Sequence, residues 1–250
     1  IHGTGLQEVR VVGHATASSP AVKVEATAPY VVSWSDFDYD AESTYNALEI
    51  AVGAANEVYE CEFRIHSHIT SNTAFITEGV YNEFYLSADT CSGAFIIDTS
   101  LGSTFIHPVA DGRMAFGGQN NLILNPGVET FFAETGKDYA VGLIGNGNTA
   151  VNPVVQEVAP ADAAASFYVG NAGNTFINPR TWGTDYPANP FDVSATPTAV
   201  TIIGGNVLCT NKIETYASVA QLLNITMLGD ASTYSLRKTQ QNYAQTPLYV

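Results

Sequence analysis

The chain has 250 residues, of which 46% are hydrophobic and 11% aromatic. This is enough for a sizeable core and excludes a disordered, collagenous or coiled-coil chain. Nine Lys and Arg stand against 24 Asp and Glu, a formal net charge of −15, and such a surface repels the phosphates of nucleic acids. Because only 13% of residues are charged, the surface is expected to consist mainly of Asn, Thr, Ser and Gly, which favours an extracellular or virion location.

Alternating polar and apolar residues in the first half of the chain predict strands. The pattern covers residues 6–16, 21–34 and 58–69, and it recurs in shorter segments as far as residue 107. In the clearest segment, 58–69, the residues expected on the solvent face are Glu60, Glu62, Arg64, His66 and His68, and those on the core face are Cys61, Phe63, Ile65 and Ser67.

The second half of the chain combines turn signals with two weak helix signals. Asn125-Pro126-Gly127 and residues 135–138 predict a β-hairpin across residues 121–143. Further strands are predicted at 151–158 and 198–203, and near 222–228 or 234–237. Helical spacing predicts a helix over 211–223 and, in competition with strand alternation, over 42–55.

These elements predict a single all-β domain over residues 1–250, an antiparallel β-sandwich of jelly-roll type with one or two short helices. An extended N-terminal segment (1–20), a long Pro-rich loop (170–198) and a C-terminal tail (238–250) complete this organisation. No internal repeat is recognised. No run of 18 apolar residues occurs, so no membrane span is expected.

Acidic and histidine residues supply two candidate metal sites. Asp36, Asp38 and Asp40 alternate along the chain, as the oxygen ligands of a calcium loop do. Ala41 stands where the EF-hand loop requires Gly, so the alternatives are an irregular Ca²⁺ site or a solvated acidic loop. His66 and His68 share one strand face and form a second candidate, against the alternative of ordinary cross-strand pairs. Ca²⁺ is therefore the one candidate cofactor, and the sequence requires no cofactor.

Cysteine spacing and nucleophile motifs do not indicate catalysis. Cys61, Cys91 and Cys209 lack metal-ligand spacing and are expected to be small buried residues. The sequence contains no Gly-x-Ser-x-Gly elbow and no phosphate-loop motif. We therefore expect a protein that is not an enzyme.

Aromatic residues in the Pro-rich loop are the strongest candidates for recognition. Trp182, Tyr186 and Phe191 are interleaved with Asn and Asp. Such a mixture favours a protein interface, while stacking on sugar rings and a plain loop core are the alternatives.

The functional expectation is a structural subunit of an extracellular assembly, namely a viral capsid or coat protein that associates through its loops with copies of itself and with other subunits. The chain begins at Ile1 rather than Met, which agrees either with processing from a precursor or with a shortened sequence. The alternative is a secreted lectin-like or adhesin β-sandwich that binds glycans, with or without Ca²⁺. A sandwich glycoside hydrolase ranks third.

Overall fold

The computed structural model of the chain describes fourteen parts of the sequence. These are residues 9–11, 20, 22–25, 40–43, 46–51, 58–70, 73–91, 93–129, 139–156, 165–182, 189–193, 199–208, 220–223 and 226–228. No helix occurs in these residues, which form strands joined by bends and turns.

The described residues contain 24 strands, numbered here in chain order. The strands up to residue 91 are β1 (Val9–Val11), β2 (Val22–Glu25), β3 (Asp40–Ser43), β4 (Leu48–Ala51), β5 (Glu62–Thr70), β6 (Phe75–Thr77) and β7 (Glu83–Cys91). Those that follow as far as residue 156 are β8 (Ile96–Asp98), β9 (Thr104–Ile106), β10 (Val109–Ala110), β11 (Met114–Phe116), β12 (Leu122–Leu124), β13 (Gly127–Val128), β14 (Tyr139–Leu143), β15 (Thr149–Val151) and β16 (Val154–Gln156). The last are β17 (Ala165–Val169), β18 (Thr175–Ile177), β19 (Arg180–Trp182), β20 (Asn189–Val193), β21 (Val200–Ile203), β22 (Asn206–Leu208), β23 (Ala220–Leu223) and β24 (Thr226–Leu228).

These strands form two sheets that are parallel except at one end. The first sheet has the order β1-β2-β4-β6-β8-β11-β14-β17-β20, and the second contains the remaining fifteen strands. Among the described pairs only β1 and β2 are antiparallel. Each other pair is parallel, as in β8 with β11 and β12 with β15. The predicted antiparallel jelly-roll sandwich is therefore wrong.

From β2 to β22 the chain passes alternately through the first sheet and the second sheet, so each pair of passages forms one rung of a parallel β-solenoid. Equivalent residues in neighbouring rungs lie 18 to 27 positions apart. A parallel pair needs a crossover connection, and here the rest of the rung supplies it. The prediction that the chain lacks an internal repeat is therefore wrong.

From β9 onward, a bend divides the second sheet's part of each rung into two strands. The bend residues of four successive rungs are His107, Asn125, Asn152 and Asn178, with φ between 49° and 54°. Asn tolerates this left-handed conformation better than most residues. A proline follows each of the four, and we call His107, Asn125, Asn152 and Asn178 the outer row.

A second row of polar residues lies inside the solenoid, four positions before the outer row in the rungs that contain both. This inner row consists of Asn82, Ser103, Asn121, Asn148 and Asn174, which are at most 1% exposed. The side-chain oxygen of each accepts the backbone N–H of the residue in the preceding rung, as Asn148 Oδ1 does from Asn121 at 2.9 Å. The inner row therefore joins neighbouring rungs where the backbone turns.

An apolar ladder fills the centre of the solenoid beneath the second sheet. Its in-register members are Phe63, Phe84, Phe105, Ile123, Ala150, Phe176 and Ile202, all fully buried. The ring centroids of Phe84 and Phe105 are 4.8 Å apart, and such stacking adds about 0.5–1.5 kcal/mol beyond burial. The burial of Cys61, Phe63, Ile65 and Ser67 confirms the core face predicted for this strand.

Three local predictions in the chain are wrong. The hairpin at 121–143 does not form: β12 and β13 pair with neighbouring rungs rather than with each other, and β14 belongs to the other sheet. Within 42–55 the described residues include β3 and β4, so strand alternation prevails over helix propensity. The segment 170–198, predicted to be a loop, contains β18, β19 and β20.

Other predicted segments lie wholly or partly outside the described residues. Of the predicted helix 211–223, only β23 is described, and it is a strand. The tail 238–250 lies outside the described residues, and of 1–20 only residues 9–11 and 20 are described.

Candidate functional site

A groove runs across the outer surface of the four strands that follow the bend, β10, β13, β16 and β19. Its volume is about 520 Å³. The lining residues are His107, Val109, Asn125, Pro126, Gly127, Val128, Glu129, Asn152, Val154, Gln156, Arg180 and Trp182.

The floor of the groove includes Gly127, a residue without a side chain. Val109, Gly127, Val154 and Arg180 occupy equivalent outward positions on the four neighbouring strands. Gly127 leaves a gap in this row between the two valines. A Cβ added at Gly127 would lie 3.3 Å from a methyl group of Val109, so a larger side chain there would occupy the space of the groove.

Trp182 is the most exposed large hydrophobic side chain lining the groove. It is 58% exposed on β19 and lies in register with Gln156. Between Arg180 and Trp182, the side chain of Thr181 is 6% exposed and points into the core. Strand alternation therefore holds Arg180 and Trp182 on the outer surface of the same strand.

The outer row borders the groove with side-chain amides. Asn152 Nδ2 donates to Asn125 Oδ1 at 3.0 Å, and Asn178 Nδ2 donates to Asn152 Oδ1 at 2.8 Å. This amide ladder continues from rung to rung along the solenoid axis. The groove therefore combines an aromatic ring, amides, one imidazole, one guanidinium and one carboxylate.

The strongest pKa shifts among the described residues lie inside the solenoid, away from the groove. Burial raises the pKa of Asp98 to about 6, against hydrogen bonds from Ser100, Thr77 and the backbone of Gly118 that lower it. Asn121 of the inner row donates to the other carboxylate oxygen at 2.8 Å. Asp98 is 1% exposed, so its role is structural.

The cysteine thiols are also placed for structure. Burial raises the pKa of Cys61 to about 12, which removes the thiolate needed for nucleophilic chemistry. Cys91 is also buried. The expectation of small buried residues is confirmed for these two, and Cys209 lies outside the described residues.

The predicted metal-site residues are only partly described. Asp36 and Asp38 lie outside the described residues, and the backbone of Asp40 begins β3 in register with His66. His66 Nδ1 lies 2.8 Å from Ser87 Oγ, and its Nε2 lies 3.5 Å from Asp89. In the described ranges, no group of three or more His, Cys, Asp or Glu side chains could hold a metal ion.

Of the three aromatic residues predicted for an interface, the structure describes Trp182 and Phe191. Trp182 lines the groove, and Tyr186 lies outside the described residues. Phe191 on β20 is 3% exposed, and its ring lies 5.2 Å from that of Phe167. Of the two described, Trp182 is therefore the one available to a ligand.

Sequence reasoning missed most of the groove. It singled out Trp182 but not Gly127, Gln156 or Arg180. The available signal was a dipeptide of Asn or His followed by Pro, which begins at residues 107, 125, 152, 178 and 189. The first four occurrences come directly before the strands that line the groove, whereas Asn189-Pro190 begins β20 of the first sheet.

Comparison with known proteins found no family model, curated protein or solved structure that matches the chain. The described residues include no helix long and apolar enough to cross a membrane. The chemistry of the groove therefore has to be inferred from its own residues.

Proposed function

We propose that this chain is an outer subunit of an extracellular assembly, such as a virion, and that it binds glycans in the groove. The observation that carries this proposal is the 58% exposed ring of Trp182 in a groove of about 520 Å³. Aromatic rings stack on the apolar faces of sugars, while amides and charged groups hydrogen-bond to their hydroxyls. The groove offers Gln156, Asn125 and Asn152 for such bonds.

The proposed activity is binding without hydrolysis. Glycoside hydrolases generally use two carboxyl groups on opposite sides of the scissile bond. Among the described residues that line the groove, Glu129 is the one carboxylate. Recognition by amides and an aromatic ring also needs no metal, so we expect glycan binding to persist in a chelator.

An uncharged face supports the assembly part of the proposal. Two outward rows of β9, β12, β15, β18 and β21 consist of Thr104, Leu122, Thr149, Thr175 and Thr201, and of Ile106, Leu124, Val151, Ile177 and Ile203. A regular, partly apolar face without charge favours contact with another subunit.

Light scattering on a size-exclusion column tests self-association. We expect the wild-type chain to form a multimer and Val151→Lys, which places a charge in the centre of the uncharged face, to shift it toward the monomer. A monomeric wild-type chain at all concentrations would contradict self-assembly and leave glycan binding to be judged separately.

The glycan proposal is tested on an array of neutral and acidic polysaccharides with the wild type, Trp182→Ala and Gly127→Val. Loss of the ring should weaken binding about fivefold or more, since stacking contributes about 1 kcal/mol beyond the buried area. Gly127→Val should weaken binding by filling the gap beside Val109. Tyr81→Ala is the matched control, because Tyr81 is 56% exposed but does not line the groove. Equal binding by Trp182→Ala and the wild type would contradict the proposed site.

A further inference from the structure

We infer that the groove selects glycans that carry an anionic group and that Arg180 binds this group. The inference rests on the proposed function, because it specifies the class of glycan that the same groove takes. The anionic group that we expect Arg180 to bind is a carboxylate or a sulfate attached to a sugar ring.

Basic side chains are scarce in this chain, and Arg180 differs from the other described arginines whose side chains are placed. Arg64 Nε lies 2.5 Å from Glu62 Oε1, and its guanidinium lies over the ring of Tyr85 at 4.0 Å. Arg113 is 3% exposed and donates a hydrogen bond to the hydroxyl of Tyr139. Arg180 is exposed in the groove instead.

The described surroundings of Arg180 leave its positive charge available to an anionic ligand. Its neighbours in the outward row are Val154 and Asn206, neither of which is charged. The carboxylate of the groove, Glu129, follows β13, two strands away from β19, which is roughly 10 Å at the usual strand spacing. No carboxylate in the described part of the chain makes an ion pair with Arg180.

Arg180 and Trp182 can contact the same sugar unit. They lie two positions apart on the outer face of β19, a separation of roughly 7 Å along an extended strand. Buried Thr181 between them fixes the orientation of this strand segment. A ring stacked on Trp182 would therefore bring an acidic substituent within reach of the guanidinium, which binds carboxylates and sulfates through paired hydrogen bonds.

The net negative charge of the chain restricts how an anionic glycan can bind in the groove. A chain with a net charge of −15 repels anions in general. An anionic glycan is therefore expected to bind in one orientation, with an acidic group beside Arg180 and sugar hydroxyl groups beside Glu129. A neutral glycan would lack this constraint.

The test measures the affinity of the full chain for polygalacturonate, its carboxyl-reduced neutral form, heparin and dextran. We expect binding to polygalacturonate or heparin, and the arm that binds identifies carboxylate or sulfate. Arg180→Gln should lower affinity for the acidic polymer about tenfold and change binding of its neutral counterpart less than about twofold. Arg180→Lys should restore part of the lost affinity, and added salt should weaken the wild type more than Arg180→Gln.

The outcomes separate this inference from the proposed function. Equal affinity for the acidic polymer and its neutral form, or an unchanged affinity in Arg180→Gln, would overturn the selection of anionic glycans while leaving glycan binding intact. Binding to none of the four polymers would overturn the inference, and the wider array with Trp182→Ala would then decide the proposed function. If Trp182→Ala loses binding while the affinity of Arg180→Gln is unchanged, the glycan is recognised by stacking alone, and the role of Arg180 is overturned.

Discussion

The inner and outer rows place the same residue type, four positions apart in each rung, in two different environments. Asn148 of the inner row is fully buried, and its amide donates to the backbone oxygens of Phe116 and Gly118 while its oxygen accepts from Asn121. Asn152 of the outer row is partly exposed, and its side-chain amide bonds to Asn125 and Asn178 of its own row. The buried Asn148 therefore joins neighbouring rungs, whereas the partly exposed Asn152 is available to line a binding groove.

The largest expected effect is the loss of an inner-row amide. Asn148→Ala removes the partners of the Asn121 N–H and the Gly118 carbonyl, which are both buried. At about 1–3 kcal/mol for each unsatisfied group, the free energy of unfolding should fall by about 4 kcal/mol. Urea unfolding followed by circular dichroism measures this change.

A matched variant sharpens the result for the inner row. Asn148→Ser keeps the acceptor that Ser103 Oγ supplies to the Asn82 N–H elsewhere in the same row. We therefore expect a smaller loss of stability than with alanine. Equal losses in the two variants would show that the rung-to-rung acceptor does not stabilise the fold.

A smaller effect is expected from pH, through Asp98 beside the inner row. Because burial raises the pKa of Asp98 from 3.8 to about 6, the folded state holds a proton that the unfolded state has lost between these values. The contribution of Asp98 to the free energy of unfolding is therefore fully present below pH 3.8 and is lost as the pH rises through 6. The total change is about 3 kcal/mol, of which about 1.4 kcal/mol falls between pH 5 and pH 7.5.

The control for this pH dependence is Asp98→Asn, which cannot titrate. Urea midpoints at pH 5 and pH 7.5 should show that the wild type loses more stability than the variant over this interval. Parallel losses in the two proteins would mean that Asp98 does not carry the effect.

The smallest effect is expected in the outer row. Asn152→Gly removes an exposed amide while retaining a residue that adopts φ 52° without strain. The free energy of unfolding should change by less than about 1 kcal/mol. A loss as large as that of Asn148→Ala in the same urea experiment would remove the distinction between the two rows.

The sequence predicts the strands of this fold better than their partners. Alternation from Cys61 to Ser67 depends on the pleat of one strand, so its buried and exposed faces could be predicted. Whether a strand pairs in parallel or antiparallel fashion depends on distant segments. Asn125-Pro126 has the composition of a hairpin turn, but it forms a bend because both flanking strands already have partners in neighbouring rungs.

The repeat that would have indicated a solenoid is present but irregular. An Asn or Ser is followed four residues later by Asn or His and then Pro, as in Asn148 with Asn152 and in Asn174 with Asn178. The separations of 18, 27 and 26 residues between successive rungs obscure a constant period. Of the groove, the exposed aromatic residue Trp182 was accessible to sequence reasoning, while the gap at Gly127 and the placement of Arg180 in the same outward row depend on register.

Fluorescence of Trp182 during titration with a glycan tests the central claim most directly. The chain has two tryptophans, Trp34 and Trp182, so Trp34→Phe leaves a single reporter in the groove. Our account predicts a saturable change in intensity with polygalacturonate oligomers or heparin oligosaccharides, and a weaker response when Gly127→Val is added. An emission that stays constant while the same protein binds the glycan on the array would place recognition elsewhere and contradict the account.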